Sequence, residues 1–89
     1  MEYNVRERIL NGCIKISECQ AEVLEILIKM DGKPIKGPEI TREIEKKRGV
    51  TLYSNNVTTY IKRINKKTDD LIKNKPFYGY YIDEEIKIW

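Results

Sequence analysis

Apolar side chains recur at helical spacing in the first long segment of the chain, which we predict to form a helix over residues 17–31. Ser17 and Gln20 have the spacing of a capping box, in which the serine accepts from the third helical N–H and the glutamine reaches back. Asp31-Gly32 should end the helix, since glycine tolerates a left-handed cap. The apolar members are dense enough for a mostly buried helix: Ala21, Val23, Leu24, Ile26, Leu27, Ile28 and Met30.

A second, shorter helix is predicted after the connector formed by residues 33–37. Pro38 suits the first helical position, where its missing N–H has no partner to lose. Ile40 and Ile44 lie four residues apart, so they share one face, which we expect to be buried. Gly49 should end this helix, and the basic last turn before it complements the helix dipole.

The third predicted helix covers residues 55–68 and is strongly two-faced. Residues 50–53 favour a strand or a loop, and Ser54-Asn55-Asn56 supplies residue types that cap a helix N-terminus. Tyr60 falls on the apolar stripe, so we expect it in the core rather than at a binding surface. The stripe has the spacing of one helical face: Val57, Tyr60, Ile61 and Ile64.

After the third helix the hydrophobic period shortens to that of strands. Residues 71–73 and 77–82 predict a β-hairpin around a turn at 74–76. Residues 85–89 alternate as a last strand would. At the other end of the chain, residues 4–16 predict one or two strands or an irregular arm.

The chain has 89 residues, which argues for one domain because two cores of half that size would each be too small to fold without staples. We therefore expect a single α+β domain over 1–89, with an N-terminal strand or arm (1–16), a three-helix core (17–68), and a wing with a C-terminal strand (69–89). No apolar run approaches the ~20 residues of a membrane span, and the N-terminus lacks a signal-peptide apolar region. We expect a cytoplasmic protein with no membrane partner.

The residue types present narrow the chemistry. The chain has no histidine, which removes the commonest general base near neutral pH. Cys13 and Cys19 are too few for a disulfide scaffold, and without histidine they cannot complete a tetrahedral zinc site. We expect both as small buried residues in a reducing compartment, with a redox pair as the alternative. Neither enzymatic activity nor a bound cofactor or metal ion is predicted.

The net charge of +3 is unevenly distributed along the chain. Residues 33–75 carry a net charge of +7, whereas residues 1–32 and 76–89 each carry −2. A local surplus of this kind is the electrostatic footprint of a polyanion site. A solvated lysine-rich surface explains the surplus equally well, so charge alone does not choose between them.

The face of the third helix opposite the apolar stripe contains no acidic residue. At 100° per residue it presents Asn55, Thr59, Lys62 and Lys66, flanked by Thr58 and Arg63. Asn can pair with adenine, Lys or Arg with guanine, and the threonine methyl with the thymine methyl. With nearby basic residues added, the predicted DNA-binding residues are Asn55, Asn56, Thr58, Thr59, Lys62, Arg63, Lys66, Lys67, Lys73 and Lys75.

Three helices, the third basic outside, followed by an aromatic hairpin, form the pattern of a winged helix-turn-helix. The major groove is about 12 Å wide and admits one helix. We therefore predict sequence-specific binding of duplex DNA by a small transcription regulator. The third helix would enter the major groove, and the hairpin wing would lie on the backbone.

Three segments resemble the OmpR/PhoB-type winged-helix effector domain of response regulators. "ISECQAEVLEILIKMDGKPIKGPEI" is similar to its first two helices, "SNNVTTYIKRINKKT" to its recognition helix, and "LIKNKPFYGYYI" to its wing. The resemblance covers about residues 16–82 and implies a bacterial or phage-type DNA-binding regulator. Only about 16 residues precede the first helix, so we expect no receiver domain. Asn65 stands where the family has an arginine, and Phe77 where its wing has a glycine.

A rival hypothesis is a winged-helix protein-interaction module, such as a small phage or mobile-element inhibitor, whose basic helix docks on an acidic partner. Winged helices serve both uses. The chain could also form a homodimer through residues 83–89. RNA polymerase or another protein is a further candidate partner. Tyr78 and Tyr80 alternate with Tyr81, so at least one of these rings should pack inside. Trp89 is expected either to plug the core or to form a self-association surface.

Overall fold

The computed structural model describes residues 1–49 and 55–89, apart from the side chains of Asn55 and Asn56. Its helices are α1 (Glu18–Lys29), α2 (Gly37–Arg48) and α3 (Asn55–Thr68). Its strands are β1 (Glu2–Asn4), β2 (Ile9–Leu10), β3 (Ile14–Lys15), β4 (Lys73–Lys75), β5 (Gly79–Tyr81) and β6 (Lys87–Ile88). The predicted α+β class is confirmed, as is the order of three helices followed by a hairpin.

Helix α1 begins where the sequence predicts and ends two residues early. The Ser17 side chain accepts from Gln20 N at 3.4 Å, which is one half of the predicted capping box. The other half is wrong: Gln20 is buried, and its Oε1 accepts from Lys67 Nζ at 3.0 Å. Asp31 and Gly32 have φ angles of 53° and 85°, so neither continues the helix.

Helices α2 and α3 also follow the predicted pattern, with one small correction. Pro38 is the second helical residue of α2, because the helix begins at Gly37 after an extended Lys36. Gly49 is left-handed, at φ 71°, as expected of a C-terminal cap. Helix α3 has the predicted bounds. The strand or loop predicted at 50–53 and the cap at Ser54 lie outside the described residues.

The core lies where the three helices meet. Each helix packs on the other two. Burying one such aliphatic side chain contributes about 1.5–3 kcal/mol relative to leaving it exposed. The helical residues of the core include Leu24, Leu27, Ile40, Ile44, Val57, Ile61 and Ile64, all of which are buried.

A four-stranded sheet joins the two ends of the chain, in the order β3-β2-β1-β6. The strands predicted within residues 4–16 are present as β2 and β3, and a further strand, β1, begins before that range at Glu2. Strand β6 pairs parallel to β1, with Tyr3 opposite Ile88. Parallel pairing across nearly the whole chain cannot be predicted from local periodicity, so the pairing of β6 with β1 was not predicted.

Strands β4 and β5 form the predicted hairpin, but its turn is shifted. The sequence predicts a turn at 74–76, whereas Asn74 pairs with Tyr80 and Lys75 with Gly79. The turn lies at 76–78 instead. Lys73–Lys75 is exposed throughout and so lacks the alternation that marks a strand.

Several predicted burial states differ from the structure. Cys13 is exposed and Cys19 is half-buried, so the prediction of two buried cysteines is wrong. Trp89 is 68% exposed and does not plug the core. Tyr80 packs against the core as one of the three wing tyrosines was expected to, and Tyr60 is partly buried there too. None of the helices in the described ranges is long and apolar enough to cross a membrane.

Candidate nucleic-acid interface

Helix α3 separates its apolar and basic residues cleanly. Val57, Ile61 and Ile64 are buried against α1 and α2. This burial fixes the rotation of the helix, because the stripe has to face the core. The predicted site residues of α3 whose side chains are described all come out exposed: Thr58, Thr59, Lys62, Arg63, Lys66 and Lys67.

The exposed face of α3 carries positive charge and no negative charge. No acidic residue occurs in α3, and the next carboxylates along the chain are Asp69 and Asp70, after the helix ends. Among the described residues, only Arg48 forms ion pairs with carboxylates. The charges of Lys62, Arg63 and Lys66 are thus not neutralised by ion pairs in the described part of the chain.

Lys67 differs from the other basic residues of α3. Its Nζ donates to Gln20 Oε1 at 3.0 Å and to the Lys15 carbonyl at 3.2 Å. These bonds connect the end of α3 to the start of α1 and to β3. The ammonium group of Lys67 is therefore partly committed within the protein, which the sequence pattern could not reveal.

Asn65 connects α3 to the start of the wing. Its Nδ2 donates to the Ile72 carbonyl at 3.0 Å, and its Oδ1 accepts from Ile72 N at 2.8 Å. Thr68 Oγ1 accepts from Leu71 N at 3.4 Å in the same segment. Sequence reasoning missed this role, although an amide side chain one turn before the end of a helix is a signal for such a contact.

The wing is held to the helical core by a short backbone pairing. Ile35 N donates to the Tyr80 carbonyl at 2.9 Å, and Tyr80 N donates to the Ile35 carbonyl at 2.8 Å. Gly79 makes this approach possible: its φ is 121°, and a Cβ there would lie 2.7 Å from Lys36 N. Any side chain at Gly79 would push the wing away from the core.

The wing carries both of its predicted DNA-binding lysines on one strand. Lys73 and Lys75 lie two residues apart on β4, and both are exposed. Alternate strand residues point to the same face. Lys75 Nζ lies 4.9 Å from the centre of the Tyr78 ring, a cation–π arrangement. Beside it, Phe77 is 95% exposed.

The basic last turn of α2 is not equivalent to the basic face of α3. Arg48 Nε donates to Glu22 Oε1 at 2.7 Å, and this bond raises the pKa of Arg48. Cys19 lies in the same cluster, and its hydrogen bond with Tyr60 is the main reason why the pKa of Tyr60 is raised. Arg48 and Tyr60 therefore brace α1 against α2 and α3.

Asn55 and Asn56 belong to the first turn of α3, but their side chains lie outside the described part of the structure.

Metal chemistry has no support in the described ranges, where no group of three or more Cys, Asp or Glu side chains could hold an ion. The arrangement can offer positive charge, hydroxyl groups and an aromatic wing tip to a polyanion.

Comparison with known proteins agrees with this geometry. The family model described as the repressor Rok winged helix domain matches residues 17–81. That range contains α1, α2, α3 and the hairpin. The match supports a winged-helix DNA-binding domain, but it does not support the OmpR/PhoB subtype. None of the curated proteins compared with the chain matches it.

Proposed function

The chain belongs to the family of the repressor Rok winged helix domain, a family of DNA-binding transcription regulators, and from this we propose that it binds specific duplex DNA sequences through α3. The observation that carries the proposal is the exposed, acid-free face of α3. Most solvated helix faces mix both signs of charge, whereas this one offers only Thr, Lys and Arg among its described exposed residues.

We propose that α3 enters the major groove with its N-terminal half deepest, as in helix-turn-helix docking. Asn55, Asn56, Thr58 and Thr59 would then face base edges. Lys62 and Arg63 follow within about one turn, where a guanine edge is in reach.

The remaining basic residues are proposed as anchors on the DNA backbone. Lys66 lies near the end of α3, where phosphate contact is the expected role. Lys73 and Lys75 would extend the positive surface along the wing. We expect the weakest contribution from Lys67, because its ammonium group already donates to Gln20 and Lys15.

We further propose that residues 1–89 act as one domain. The Cα radius of gyration is 12.1 Å, and a single domain of this length is expected to have about 12 Å. Strand β6 completes the sheet begun by β1, so the ends of the chain belong to the same unit.

A homodimer through the C-terminal segment is a separate proposal. Ile88 and Trp89 are 54% and 68% exposed, and Ile88 lines a groove together with Val5, Ile26 and Met30. A second copy covering these residues would allow two half-sites to be read about one helical turn apart. Light scattering should then give a dimer mass for the parent and a monomer mass for Ile88→Glu. A monomeric parent at the concentration that gives a DNA footprint would contradict it.

The test of DNA binding begins with selection from random duplex DNA, followed by affinity measurements on the recovered sequence at several salt concentrations. With four to six phosphate contacts, the slope of log affinity against log salt should be roughly −4 to −5. The double variant Lys62→Ala/Lys66→Ala should weaken binding and flatten the slope. Lys15→Ala/Lys33→Ala removes the same charge from β3 and from the connector between α1 and α2, and it serves as the matched control.

Two outcomes would contradict the proposal. The first is a parent protein that retains no duplex at low salt, which would favour the rival hypothesis of an acidic protein partner. The second is an equal loss of affinity in both double variants, because binding would then follow net charge and not the face of α3.

A further inference from the structure

The tip of the wing carries the most exposed large apolar side chain in the described part of the chain. Phe77 is 95% exposed, and the neighbouring Tyr78 is 62% exposed. Both belong to the turn between β4 and β5. An exposed aromatic side chain at a hairpin tip gains nothing from the core, so its presence calls for a reason outside folding.

The backbone at Phe77 adds a second observation. Its φ is 71°, a left-handed conformation that is a genuine outlier for a bulky residue. Among the other left-handed residues outside glycine in the described ranges, four are Asn or Asp, the types that tolerate this conformation, and Arg8 shares the unfavourable backbone of Phe77. Phe77 is thus unfavourable in two ways: its apolar ring is exposed to solvent, and its backbone has a left-handed conformation. Strained residues of this kind cluster at ligand-binding sites.

The surroundings of Phe77 fit a nucleic-acid ligand. Lys75 Nζ lies 4.9 Å from the Tyr78 ring centre, so a positive charge is held next to the apolar tip. Tyr78 N donates to the Lys75 carbonyl at 3.0 Å, which closes the turn. At the base of the wing, the pairing of Tyr80 with Ile35 fixes the hairpin to the core. The Phe77 ring therefore lies at the tip of a hairpin that is fixed to the core, close to the ammonium group of Lys75.

We propose that Phe77 is an apolar wedge that enters a base step of the bound duplex and kinks it, so that the protein bends DNA as well as binding it. The inference rests on the proposed DNA binding. Apolar side chains inserted from the minor groove partly unstack one step and bend the duplex by about 20–90°. Lys73 and Lys75 would contact the phosphates on either side of the insertion. Phosphate contacts hold the register, and the wedge supplies the deformation.

The experiment measures bending and affinity separately. A short duplex recovered by selection with the parent protein carries a donor and an acceptor fluorophore at its ends, and a 2-aminopurine at successive steps. The variants are Phe77→Ala, which removes the wedge, and Phe77→Leu, which keeps an apolar one. Asn74→Ala is the matched control, because it shortens another exposed side chain of the wing and leaves the turn unchanged. Thermal melting checks that each variant is folded.

The parent, Phe77→Leu and Asn74→Ala should bend the duplex and raise 2-aminopurine fluorescence at one step. Phe77→Ala should bind without the bend and without that rise. Its affinity should fall roughly 5- to 150-fold, the range expected for one lost stacking contact. The salt slope should stay that of the parent, because no charge is removed.

The failures of the two proposals can be told apart. If the parent binds but leaves the duplex straight, or if Phe77→Ala bends it as the parent does, the wedge is wrong and DNA binding stands. Loss of the bend in Asn74→Ala as well would also overturn the wedge, since the effect would not belong to the tip of the wing. If the parent binds no duplex, both proposals fall.

Discussion

Lysines that are equivalent in the sequence pattern occupy different environments in the structure. Lys66 and Lys67 are neighbours at the end of α3, and both are exposed. Only Lys67 donates to Gln20 and to the Lys15 carbonyl. The pattern could predict which residues lie off the apolar stripe, but it could not predict partners from distant parts of the chain.

Reading and anchoring residues on α3 should separate in binding experiments. Lys62→Ala or Arg63→Ala should cost about 1–3 kcal/mol at the preferred site and relax the preference at one base position. Lys66→Ala or Lys73→Ala should weaken all sequences alike and flatten the salt slope by about one unit. Affinities on preferred and scrambled duplexes across salt concentrations measure both effects. If all four variants bind every duplex as the parent does while folded, α3 does not read the DNA.

Phe77 also allows a test of backbone strain that needs no DNA. The left-handed conformation costs a residue with a side chain about 1–2 kcal/mol, and glycine relieves this strain. Glycine also loses more conformational entropy on folding, which offsets about 0.5–1 kcal/mol of the stability gained. Phe77→Gly should therefore unfold in urea with a free energy about 0.5–1 kcal/mol above that of the parent. Phe77→Ala keeps the strain and is its control. A Phe77→Gly protein that is less stable than Phe77→Ala would contradict the strain.

At the scale of elements, Asn65 is the side chain that joins α3 to Ile72, just before the wing. Asn65 satisfies both backbone groups of Ile72, which is itself buried. No comparable side-chain bond to β5 is found in the described part of the chain. Asn65 is therefore a positioning residue, which sets where the wing leaves the recognition helix.

Replacing Asn65 should loosen the wing without unfolding the helices. Asn65→Ala leaves the N–H and carbonyl of Ile72 without their partner, which costs about 1–3 kcal/mol for a buried polar group. We expect faster amide exchange in β4 and β5, measured by NMR, with α1 and α2 least affected. Asn74→Ala changes an exposed asparagine of β4 and is the control. Equal exchange rates in the two variants would show that the hydrogen bonds of Asn65 to Ile72 do not hold the wing.

The helices were predictable and the strands less so, for a physical reason. The amphipathic pattern of α3 and the glycine that ends α2 are local features, and both are confirmed. Strand β4 is Lys-Asn-Lys and carries no apolar alternation, so its extent into Lys75 was missed. The pairing of β6 with β1 depends on residues from opposite ends of the chain. The two hydrogen bonds of Asn65 were missed because their partner groups belong to Ile72, which lies outside α3.

At the scale of the whole molecule, Tyr3 ties the terminal sheet to the helices. Its side chain is fully buried, and its hydroxyl donates to Glu25 Oε2 at 3.2 Å. Burial raises the pKa of Tyr3, and the charge of Glu25 and the hydrogen bond to it raise it further, against a smaller opposing effect of Arg8. In the unfolded chain this tyrosine ionises near its usual pKa of 10.0.

Alkaline pH should therefore weaken the fold through Tyr3. Above pH 10 the folded state keeps the tyrosine proton that the unfolded state loses. The contribution of Tyr3 to the free energy of unfolding is therefore complete below pH 10 and declines as the pH rises above it. Tyr3→Phe should be less stable than the parent at neutral pH, and the difference between their melting temperatures should shrink above pH 10. Both proteins carry the same lysines, so lysine titration cancels in the comparison. A difference that stays constant through this range would contradict the assignment.

The parallel pairing of β6 with β1 has a consequence for synthesis on the ribosome. The Met1 carbonyl accepts a hydrogen bond from Lys87 N, and the Tyr3 carbonyl accepts one from Trp89 N, so β1 waits for a strand that is translated after all three helices. Translation adds about 5–20 residues per second, so one edge of β1 stays unpaired for several seconds while α1, α2 and α3 emerge and pack through local contacts. During that interval the nascent chain exposes an open strand edge, the kind of surface that pairs with other chains. Strand β6 closes that edge when it arrives, so a nascent chain that stalls before Lys87 is the form of this protein most prone to aggregate.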